Sequence, residues 1–187
     1  MGEYDLISRA RRGDDAAWES IVREHQEPVF RLAYLLLGDA HEAEDIAQEA
    51  FIRAFRALHT FDASRPMRPW LLSISANLAR NRRRSIGRYL AAVGRVFQSS
   101  PEPVTPLGER SSQQWEAQVL SDAVRRLNPM EREVVYMRYF LDLSEAEMAQ
   151  ALGVPAGTVK SRLHRALQRL RSVVDQEFPA LREERRI

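Results

Sequence analysis

Basic side chains cluster on one predicted helix near the end of the chain. No acidic residue follows Thr158 until Asp175, and five basic residues lie between them: Lys160, Arg162, Arg165, Arg169 and Arg171. A guanidinium group binds phosphate oxygens and guanine edges through its planar fork of N–H donors. Apolar residues recur at helical spacing and are expected to face inward: Val159, Leu163, Ala166, Leu167 and Leu170. The pattern predicts a helix that contacts a nucleic acid.

A shorter helix precedes this basic helix. Ser144 is a favourable N-cap, and Glu147 three residues later completes a capping box. Gly153 suits the left-handed end of this helix, and Thr158 is predicted to cap the basic helix after a short turn. Two helices joined by a tight turn predict a helix-turn-helix whose second helix enters a major groove. The alternative is an antiparallel helical hairpin with a solvated basic face.

Arginine and tryptophan are combined in the middle of the chain. Residues 60–69 contain two prolines and predict a loop with Arg65, Met67 and Arg68, after which Trp70 is predicted to open a helix. Five arginines follow with no acid between them: Arg80, Arg82, Arg83, Arg84 and Arg88. Aromatic rings that stack on bases, beside cations that follow phosphates, capture single-stranded nucleic acid. The alternative is that Trp70 anchors the helix in the core and the arginines are solvated.

An earlier predicted helix, residues 41–58, separates apolar from acidic side chains. Its apolar stripe is expected to be core and consists of Ile46, Ala50, Phe51, Ala54, Phe55 and Leu58. Polar residues crowd its first turns, where acids favour the helix dipole: Glu42, Glu44, Asp45, Gln48 and Glu49. From charge alone, a solvated acidic face that stabilises the helix start explains them.

The composition argues against several classes of protein. The 187 residues include no cysteine, which excludes disulfides, a cysteine-ligated zinc and a thiol nucleophile. Four histidines lack metal-ligand spacing, and no P-loop, dinucleotide fingerprint or nucleophile elbow is present. We therefore expect no catalytic residue, no metal and no cofactor. Residues 32–37 form the longest apolar run, far short of the roughly 20 residues that span a bilayer. With no signal peptide, a cytoplasmic protein is expected.

Helical patterns run through the whole chain, and charge is distributed unevenly along it. Residues 1–60 hold twelve acids and seven arginines, whereas residues 61–100 hold one acid and eight arginines. The basic surfaces suit a polyanion. Residues 98–114 are rich in proline and serine and are typical of a linker. We therefore predict an all-α fold of two small helical domains joined by a flexible linker.

Three stretches resemble the extracytoplasmic-function (ECF) subfamily of the sigma-70 family of bacterial RNA polymerase sigma factors. GVPAGTVKSRLHRA, residues 153–166, is similar to the second half of sigma region 4. AEDIAQEAF, residues 43–51, looks like the A-E-D-L-x-Q-E-x-F signature of region 2.2. RPMRPWLLSISANLARN, residues 65–81, resembles regions 2.3 and 2.4, although Met67 stands where phenylalanine is common. Likewise, Leu167 stands where the family often has arginine.

This resemblance implies a division of the chain into a region 2 domain and a region 4 domain. Residues 1–95 would dock on core polymerase and melt the −10 element, and residues 96–116 would be the linker. Residues 117–174 would hold the helix-turn-helix that reads the −35 element, followed by a charged tail at 175–187. Polymerase would perform the chemistry, and this chain would direct promoter recognition and DNA melting in transcription initiation.

The resemblance also implies which residues act. The −35 element would meet Thr158, Lys160, Ser161, Arg162, His164 and Arg165. The −10 element would meet Arg65, Met67, Arg68, Trp70, Asn77, Arg80 and Arg84. Core polymerase would be contacted by Glu44, Asp45, Gln48 and Glu49.

The implied partners are core RNA polymerase, promoter DNA and an anti-sigma factor. On core polymerase, the docking sites would be the clamp of the largest subunit and the flap of the second-largest. Two other functions remain open at this point. One is a helix-turn-helix regulator that binds DNA without joining core polymerase, and the other is a helical adaptor without a DNA role.

Overall fold

The fold is a set of helices arranged as two domains, which confirms the predicted all-α class. The computed structural model describes residues 2–94 and 112–177. The first domain consists of α1 (Glu3–Arg11), α2 (Asp15–Leu37), α3 (Ala40–Ala57), a 3₁₀ turn (Leu58–Thr60) and α4 (Met67–Gly94). The second consists of α5 (Ser112–Arg125), α6 (Pro129–Val135), a π-helical turn (Tyr136–Phe140), α7 (Glu145–Leu152) and α8 (Ala156–Glu177).

The first domain packs α1, α3 and α4 around α2. Ile7, Ile21, Leu32, Leu71 and Leu72 are all fully or almost fully buried between these helices. Each helix buries a stripe of aliphatic side chains, and this burial is the main favourable term in its folding.

Pro28 lies inside α2 without interrupting it. The helix runs without a gap from Asp15 to Leu37, and Asp14 caps it by accepting a hydrogen bond from the backbone N–H of Ala17 at 3.1 Å. A proline inside a helix costs about 3 kcal/mol. Buried Ile21 and Val29 on either side of Pro28 tie both halves of the helix to one core, which offsets that cost.

In the second domain, two capping boxes fix where helices begin. Asn128 accepts from the backbone N–H of Glu131 at 2.9 Å, and the Glu131 carboxylate accepts in return from the backbone N–H of Asn128 at 3.3 Å. Ser144 and Glu147 form the same reciprocal pair at the start of α7. The Ser144–Glu147 box agrees with the prediction, and the residue types and their spacing determine both caps locally.

Two helices begin earlier than predicted. α4 begins at Met67 rather than Trp70, and α8 begins at Ala156 rather than Thr158. In both cases a proline lies at the start, Pro69 within the first turn of α4 and Pro155 just before α8. Since the first N–H groups of a helix have no intrahelical partner, proline is tolerated there. Met67, Arg68 and Thr158 are therefore helical residues and do not belong to a loop or a cap.

Two side chains predicted to be core, one leucine and one phenylalanine, are exposed. Leu167 of α8 is 37% exposed and Phe55 of α3 is 50% exposed, although Phe55 also packs on Trp18 with ring centroids 5.1 Å apart. Val159, Leu163 and Ala166 are buried as predicted, and Leu170 packs against the core. The buried stripe of α8 is thus narrower than its sequence suggested.

Parts of the predicted organisation lie outside the described residues. These are residue 95 at the end of the predicted first domain, residues 96–111 of the predicted linker and residues 178–187 of the predicted tail. α5 begins at Ser112, inside the predicted linker, and α8 continues to Glu177, inside the predicted tail.

Candidate nucleic-acid interface

The second helix of the helix-turn-helix, α8, presents a basic face to solvent. Lys160, Ser161, His164 and Arg165 are exposed. On the opposite side, Val159 is completely buried. This division follows from the helical period, because residues three and four apart share a face. The exposed face can therefore lie in a major groove while the apolar face stays packed on α6 and α7.

Two other predicted residues of α8 are half-buried. Arg162 is half-buried and lies near the carboxylate of Glu133, whose pKa is raised by burial and held back in part by the charges of Arg80 and Arg162. Thr158 is also half-buried, in the first turn of α8. The side chain of Arg165 donates from Nε to the carbonyl oxygen of Ser161 at 3.2 Å, which directs its guanidinium group along the helix.

The turn of the helix-turn-helix depends on Gly153. This residue ends α7 with φ +65°, in the left-handed region that favours glycine. The next N–H, that of Val154, donates to the carbonyl oxygen of Ala149 at 3.1 Å, so the end of α7 is satisfied by the backbone. The turn thus sets the angle at which α8 leaves α7.

In the first domain, a segment of residues 61–66 precedes α4 and is exposed except at Phe61, which is buried, and Ala63, which is half-buried. Its turn is held by Asp62, whose Oδ1 accepts from the backbone N–H of Ser64 at 3.0 Å and from the Ser64 hydroxyl at 2.7 Å. Arg65 is exposed beside it, and its Nε lies 3.3 Å from Asp62 Oδ2. The segment therefore presents a cation on an ordered turn.

Trp70 is packed against the core and also partly accessible, which is compatible with both roles that its sequence left open. It is half-buried, and its ring stacks on Phe61 with centroids 4.5 Å apart. The two rings and Arg65 line a cleft of about 370 Å³. Phe61 had not been predicted to be part of the site, although an aromatic residue next to a predicted turn was the available signal. An aromatic pair beside an arginine is suited to stacking on an unpaired base.

Met67 is the predicted site residue that the structure places least accessibly. Its side chain is 0% exposed, in the first turn of α4 and within the core. Because the side chain is fully buried, it cannot contact a ligand directly in this conformation.

Three predicted residues of α4 contact other residues of the protein. Arg68 donates from Nη2 to the carbonyl oxygen of Leu141 in the second domain at 2.7 Å. Arg80 forms an ion pair with Glu133, also in the second domain, and donates to the side-chain oxygen of Asn77. Arg84, in contrast, is exposed. The two domains are thus joined through the same helix that carries the predicted −10 residues.

The predicted polymerase-binding residues lie on α3 of the first domain. Glu44, Asp45 and Gln48 are exposed, and Glu49 accepts from Arg53 Nε at 2.7 Å. Glu44 and Gln48 border an apolar groove of about 500 Å³ between α2 and α3, whose walls include Phe30 and Phe51. The sequence had indicated the acids of this surface but not the groove beside them.

Arg82 belongs to this acidic surface rather than to the basic one. Its guanidinium forms a bidentate pair with Glu42, with 2.6 Å between Nη2 and Oε1. The hydrogen bond from Arg82 lowers the pKa of Glu42 below its usual range. The arginine run after Trp70 is therefore divided between two surfaces.

Residues 2–94 and 112–177 contain no group of three or more His, Cys, Asp or Glu side chains placed to hold a metal ion. No helix in these two ranges is long and apolar enough to cross a membrane.

Comparisons with known proteins find matches over both domains. The family model described as sigma-70 region 2 matches residues 21–89, and that described as sigma-70 region 4 matches residues 117–170. The ECF RNA polymerase sigma factor SigW of Bacillus subtilis is 35% identical over 173 residues, which cover 88% of this chain and 92% of SigW. SigL of Mycobacterium tuberculosis is 34% identical over 172 residues, covering 91% and 96% of the two chains.

Two solved structures have a similar fold. One is CnrH in complex with the cytosolic domain of CnrY, with a TM-score of 0.69 and 23% identity, covering 92% of this chain and 97% of CnrH. The other is the sigma factor RpoE of Bartonella quintana in complex with the anti-sigma factor NepR, with a TM-score of 0.66 and 23% identity. That match covers 84% of this chain and 96% of RpoE.

Proposed function

Because this chain belongs to the ECF subfamily of the sigma-70 RNA polymerase sigma factors, we propose how its surfaces divide the work of initiation. The first domain docks on core RNA polymerase through α3 and holds the −10 element with the start of α4. The second domain reads the −35 element with α8. The observation that carries this proposal is the basic exposed face of α8, opposite a fully buried apolar stripe.

On α8, the residues proposed to contact the −35 element are Thr158, Lys160, Ser161, Arg162, His164 and Arg165. Lys160 and Arg165 are exposed cations near the start of the helix, where recognition helices of this type meet base edges and phosphates. Each bidentate contact from an arginine to a guanine is worth roughly 1–3 kcal/mol of discrimination.

For the −10 element, the proposed contacts are divided by their accessibility. Arg65, Trp70 and Arg84 are available in this arrangement of the domains, and they supply stacking and phosphate contacts. Arg68 and Arg80 are bonded to the second domain, and Asn77 accepts from Arg80. For Arg68 and Arg80 to reach DNA, the second domain must move away from α4, whereas Asn77 is exposed.

Core polymerase is proposed to bind the acidic surface of α3. Glu44, Asp45, Gln48 and Glu49 would face the clamp of the largest subunit, with the apolar groove beside them giving additional contact area. The second domain would contact the flap of the second-largest subunit. Because polymerase holds both domains, α8 can bind the −35 element weakly and still act.

An anti-sigma factor is the third proposed partner. CnrH was solved with the cytosolic domain of CnrY, and RpoE with the anti-sigma factor NepR, and both share the fold of this chain. We further propose that the protein acts in the bacterial cytoplasm, where RNA polymerase acts, and that it has no catalytic activity of its own.

The test is reconstitution with core polymerase. The full chain and core enzyme together should give a run-off transcript from genomic DNA fragments, whereas neither should do so alone. A protein that binds duplex DNA tightly but never joins core polymerase would instead be a helix-turn-helix regulator.

Two double variants separate the proposed surfaces. Arg162→Ala with Arg165→Ala should abolish promoter-specific transcripts and leave core binding unchanged. Asp45→Ala with Gln48→Ala should weaken core binding, measured by fluorescence anisotropy. The control is Arg171→Ala, which removes an exposed cation from a later turn of α8. If the first double variant transcribed normally, the assignment of the −35 surface would be wrong.

A further inference from the structure

The first helix, α1, reaches the exposed segment that precedes α4. Ile7 is fully buried and Ala10 is 5% exposed, so α1 is anchored in the core of the first domain. Two side chains of this anchored helix contact the stretch of residues 58–67. Arg11 contacts its beginning and Glu3 contacts its end. α1 precedes residues 21–89, which the region 2 family model matches.

Arg11 holds the beginning of this segment. Its Nε donates to the carbonyl oxygen of Leu58 at 3.0 Å, and its terminal Nη2 donates to the carbonyl oxygen of Phe61. One planar guanidinium thus fixes two carbonyl groups three residues apart, which a lysine ammonium on a flexible stem does not reproduce. Phe61 is the residue whose ring stacks on Trp70.

Glu3 holds the end of the segment. Its Oε1 accepts from the backbone N–H of Met67 at 3.3 Å, at the first residue of α4, and lies 3.7 Å from Nε2 of the buried His25. The first N–H groups of a helix have no partner within the helix, and a carboxylate there is also favoured by the helix dipole. Glu3 therefore fixes the position at which the segment enters α4.

Between these two anchors the segment is largely exposed and internally ordered. The Asp62–Ser64 bonds shape its turn, and Arg65 and Trp70 line the cleft beside it. Neither Glu3 nor Arg11 lines that cleft. Both act on it through backbone atoms, so they determine where the cleft residues lie without touching what binds there.

We propose that Glu3 and Arg11 are positioning residues for recognition of the −10 single strand. They hold residues 61–66 so that Arg65 and the Trp70 ring, which stacks on the buried Phe61, meet the unpaired bases in one geometry. This inference rests on the proposed function, because it assigns the segment to the −10 element. Loss of either anchor releases one end of the segment and lowers selectivity for the −10 sequence, while docking on polymerase is kept.

The experiment uses holoenzyme assembled from core polymerase and the full chain. A promoter is first located by mapping transcripts that the wild-type holoenzyme makes on genomic DNA. Two labelled single strands are then compared by anisotropy, the non-template −10 strand of that promoter and a scrambled strand of the same composition. The ratio of their dissociation constants measures −10 selectivity.

Arg11→Ala should reduce this ratio roughly tenfold, since small displacements of positioned groups have effects of that size or larger. Its affinities for the scrambled strand and for core polymerase should stay at the wild-type values. Arg12→Ala is the matched control, because Arg12 lies on the same helix and its Nη1 donates to Ser8 Oγ at 2.8 Å, away from the segment. Arg12→Ala should leave the ratio unchanged.

Glu3 offers an independent test with a conservative rescue. Glu3→Ala should reduce the ratio, and Glu3→Gln should restore most of it, because an amide oxygen still accepts from the N–H of Met67. A ratio for Arg11→Ala within twofold of wild type would overturn the inference. Loss of core binding in Arg11→Ala would also overturn it, because α1 would then be needed for folding as a whole.

These outcomes are separable from failure of the proposed function. If the wild-type holoenzyme gives no promoter-specific transcript, or does not distinguish the two strands, the proposed function is wrong. If the wild type distinguishes them and Arg11→Ala does so equally well, only the positioning role is wrong.

Discussion

Arg80 of the first domain and Glu133 of the second form a largely buried ion pair that joins the two domains. Arg80 Nη1 lies 2.7 Å from Glu133 Oε1, and Glu133 is 4% exposed. A buried carboxylate is costly unless a cation compensates it, and Arg80 supplies part of that compensation in this relative position of the domains. Arg80 is also proposed to contact the −10 DNA. The joined arrangement therefore competes with promoter binding for the same guanidinium.

Breaking this pair should separate the domains. Glu133→Ala removes the carboxylate and should weaken the joined arrangement by roughly 1–3 kcal/mol, the range for loss of a hydrogen bond to a charged group. The readout is energy transfer between dyes on Glu19→Cys and Ser172→Cys, two exposed positions in a chain without cysteine. Transfer should fall, and the affinity of the free chain for promoter DNA should rise.

The control for this experiment is Glu145→Gln, which removes an exposed carboxylate from α7 of the same domain. It should leave the transfer efficiency at the wild-type value. Equal efficiencies for Glu133→Ala and wild type would contradict the role of the pair in joining the domains.

The same contact should make domain separation depend on pH. Burial raises the pKa of Glu133, and the charges of Arg80, Arg162 and Arg83 oppose this rise without cancelling it. Separation of the domains is expected to expose Glu133 to water and return its pKa towards the ordinary range, so proton binding should favour the joined arrangement. As pH falls from neutrality towards the ordinary carboxyl range, the joined population should increase.

Energy transfer in the dye-labelled chain checks this direction between about pH 7.5 and about pH 5. Glu133→Gln has no titrating group at this position and should flatten the dependence. A joined population that decreases with acid in the wild type would show that another group controls the contact.

The left-handed turn of the helix-turn-helix gives a prediction about stability. Gly153→Ala should lower the free energy of unfolding by roughly 1–2 kcal/mol, because a Cβ is strained in this backbone conformation. The cost is conformational rather than steric, since no heavy atom lies within 4 Å of the added Cβ. Gly157→Ala is the matched control, because Gly157 lies inside α8 with equal space around it.

In urea unfolding monitored by circular dichroism, Gly157→Ala should be neutral or stabilising by up to about 1 kcal/mol. Equal midpoints for the two alanine variants would mean that Gly153 is not held in the left-handed conformation.

The sequence predicts the ends of helices best where a local capping signal exists. Asp14, the Asn128–Glu131 pair and the Ser144–Glu147 pair all cap the predicted helices. The starts of α4 and α8 were predicted wrongly. The structure begins each helix close to a proline, Pro69 or Pro155, where the sequence had predicted a loop or a turn. A proline can either end or start a helix, and only packing of the following residues decides between them.

On α8, the helical period alone predicted which site residues are exposed. It did not predict the contacts between side chains elsewhere in the site. The period places Lys160 and Arg165 opposite Val159 without further information. It could not indicate that Arg11 reaches Phe61 or that Arg80 meets Glu133, since these partners are 50 and 53 residues apart along the chain. Contacts of this kind depend on how helices pack, and a long flexible side chain gives no local signal of its partner.

The division of the arginine run between two surfaces gives the last prediction. Arg82 is paired with Glu42 on the acidic surface, with 2.6 Å between Nη2 and Oε1, whereas Arg84, two residues later, is exposed and proposed to bind DNA. Each phosphate contact that a protein loses reduces the salt dependence of its DNA binding by about one unit in the slope of log K against log salt. Arg84→Ala holoenzyme should therefore bind promoter DNA with a slope shallower by about one.

Arg82→Ala should leave that slope close to the wild-type value, because its guanidinium is already neutralised by Glu42 rather than by a phosphate. It also frees the Glu42 carboxylate next to the proposed polymerase-binding residues, so its effect should appear in core binding instead. Filter binding of each holoenzyme over a series of salt concentrations measures the slopes. Equal reductions in slope for the two variants would place Arg82 on the DNA-binding surface and contradict the division.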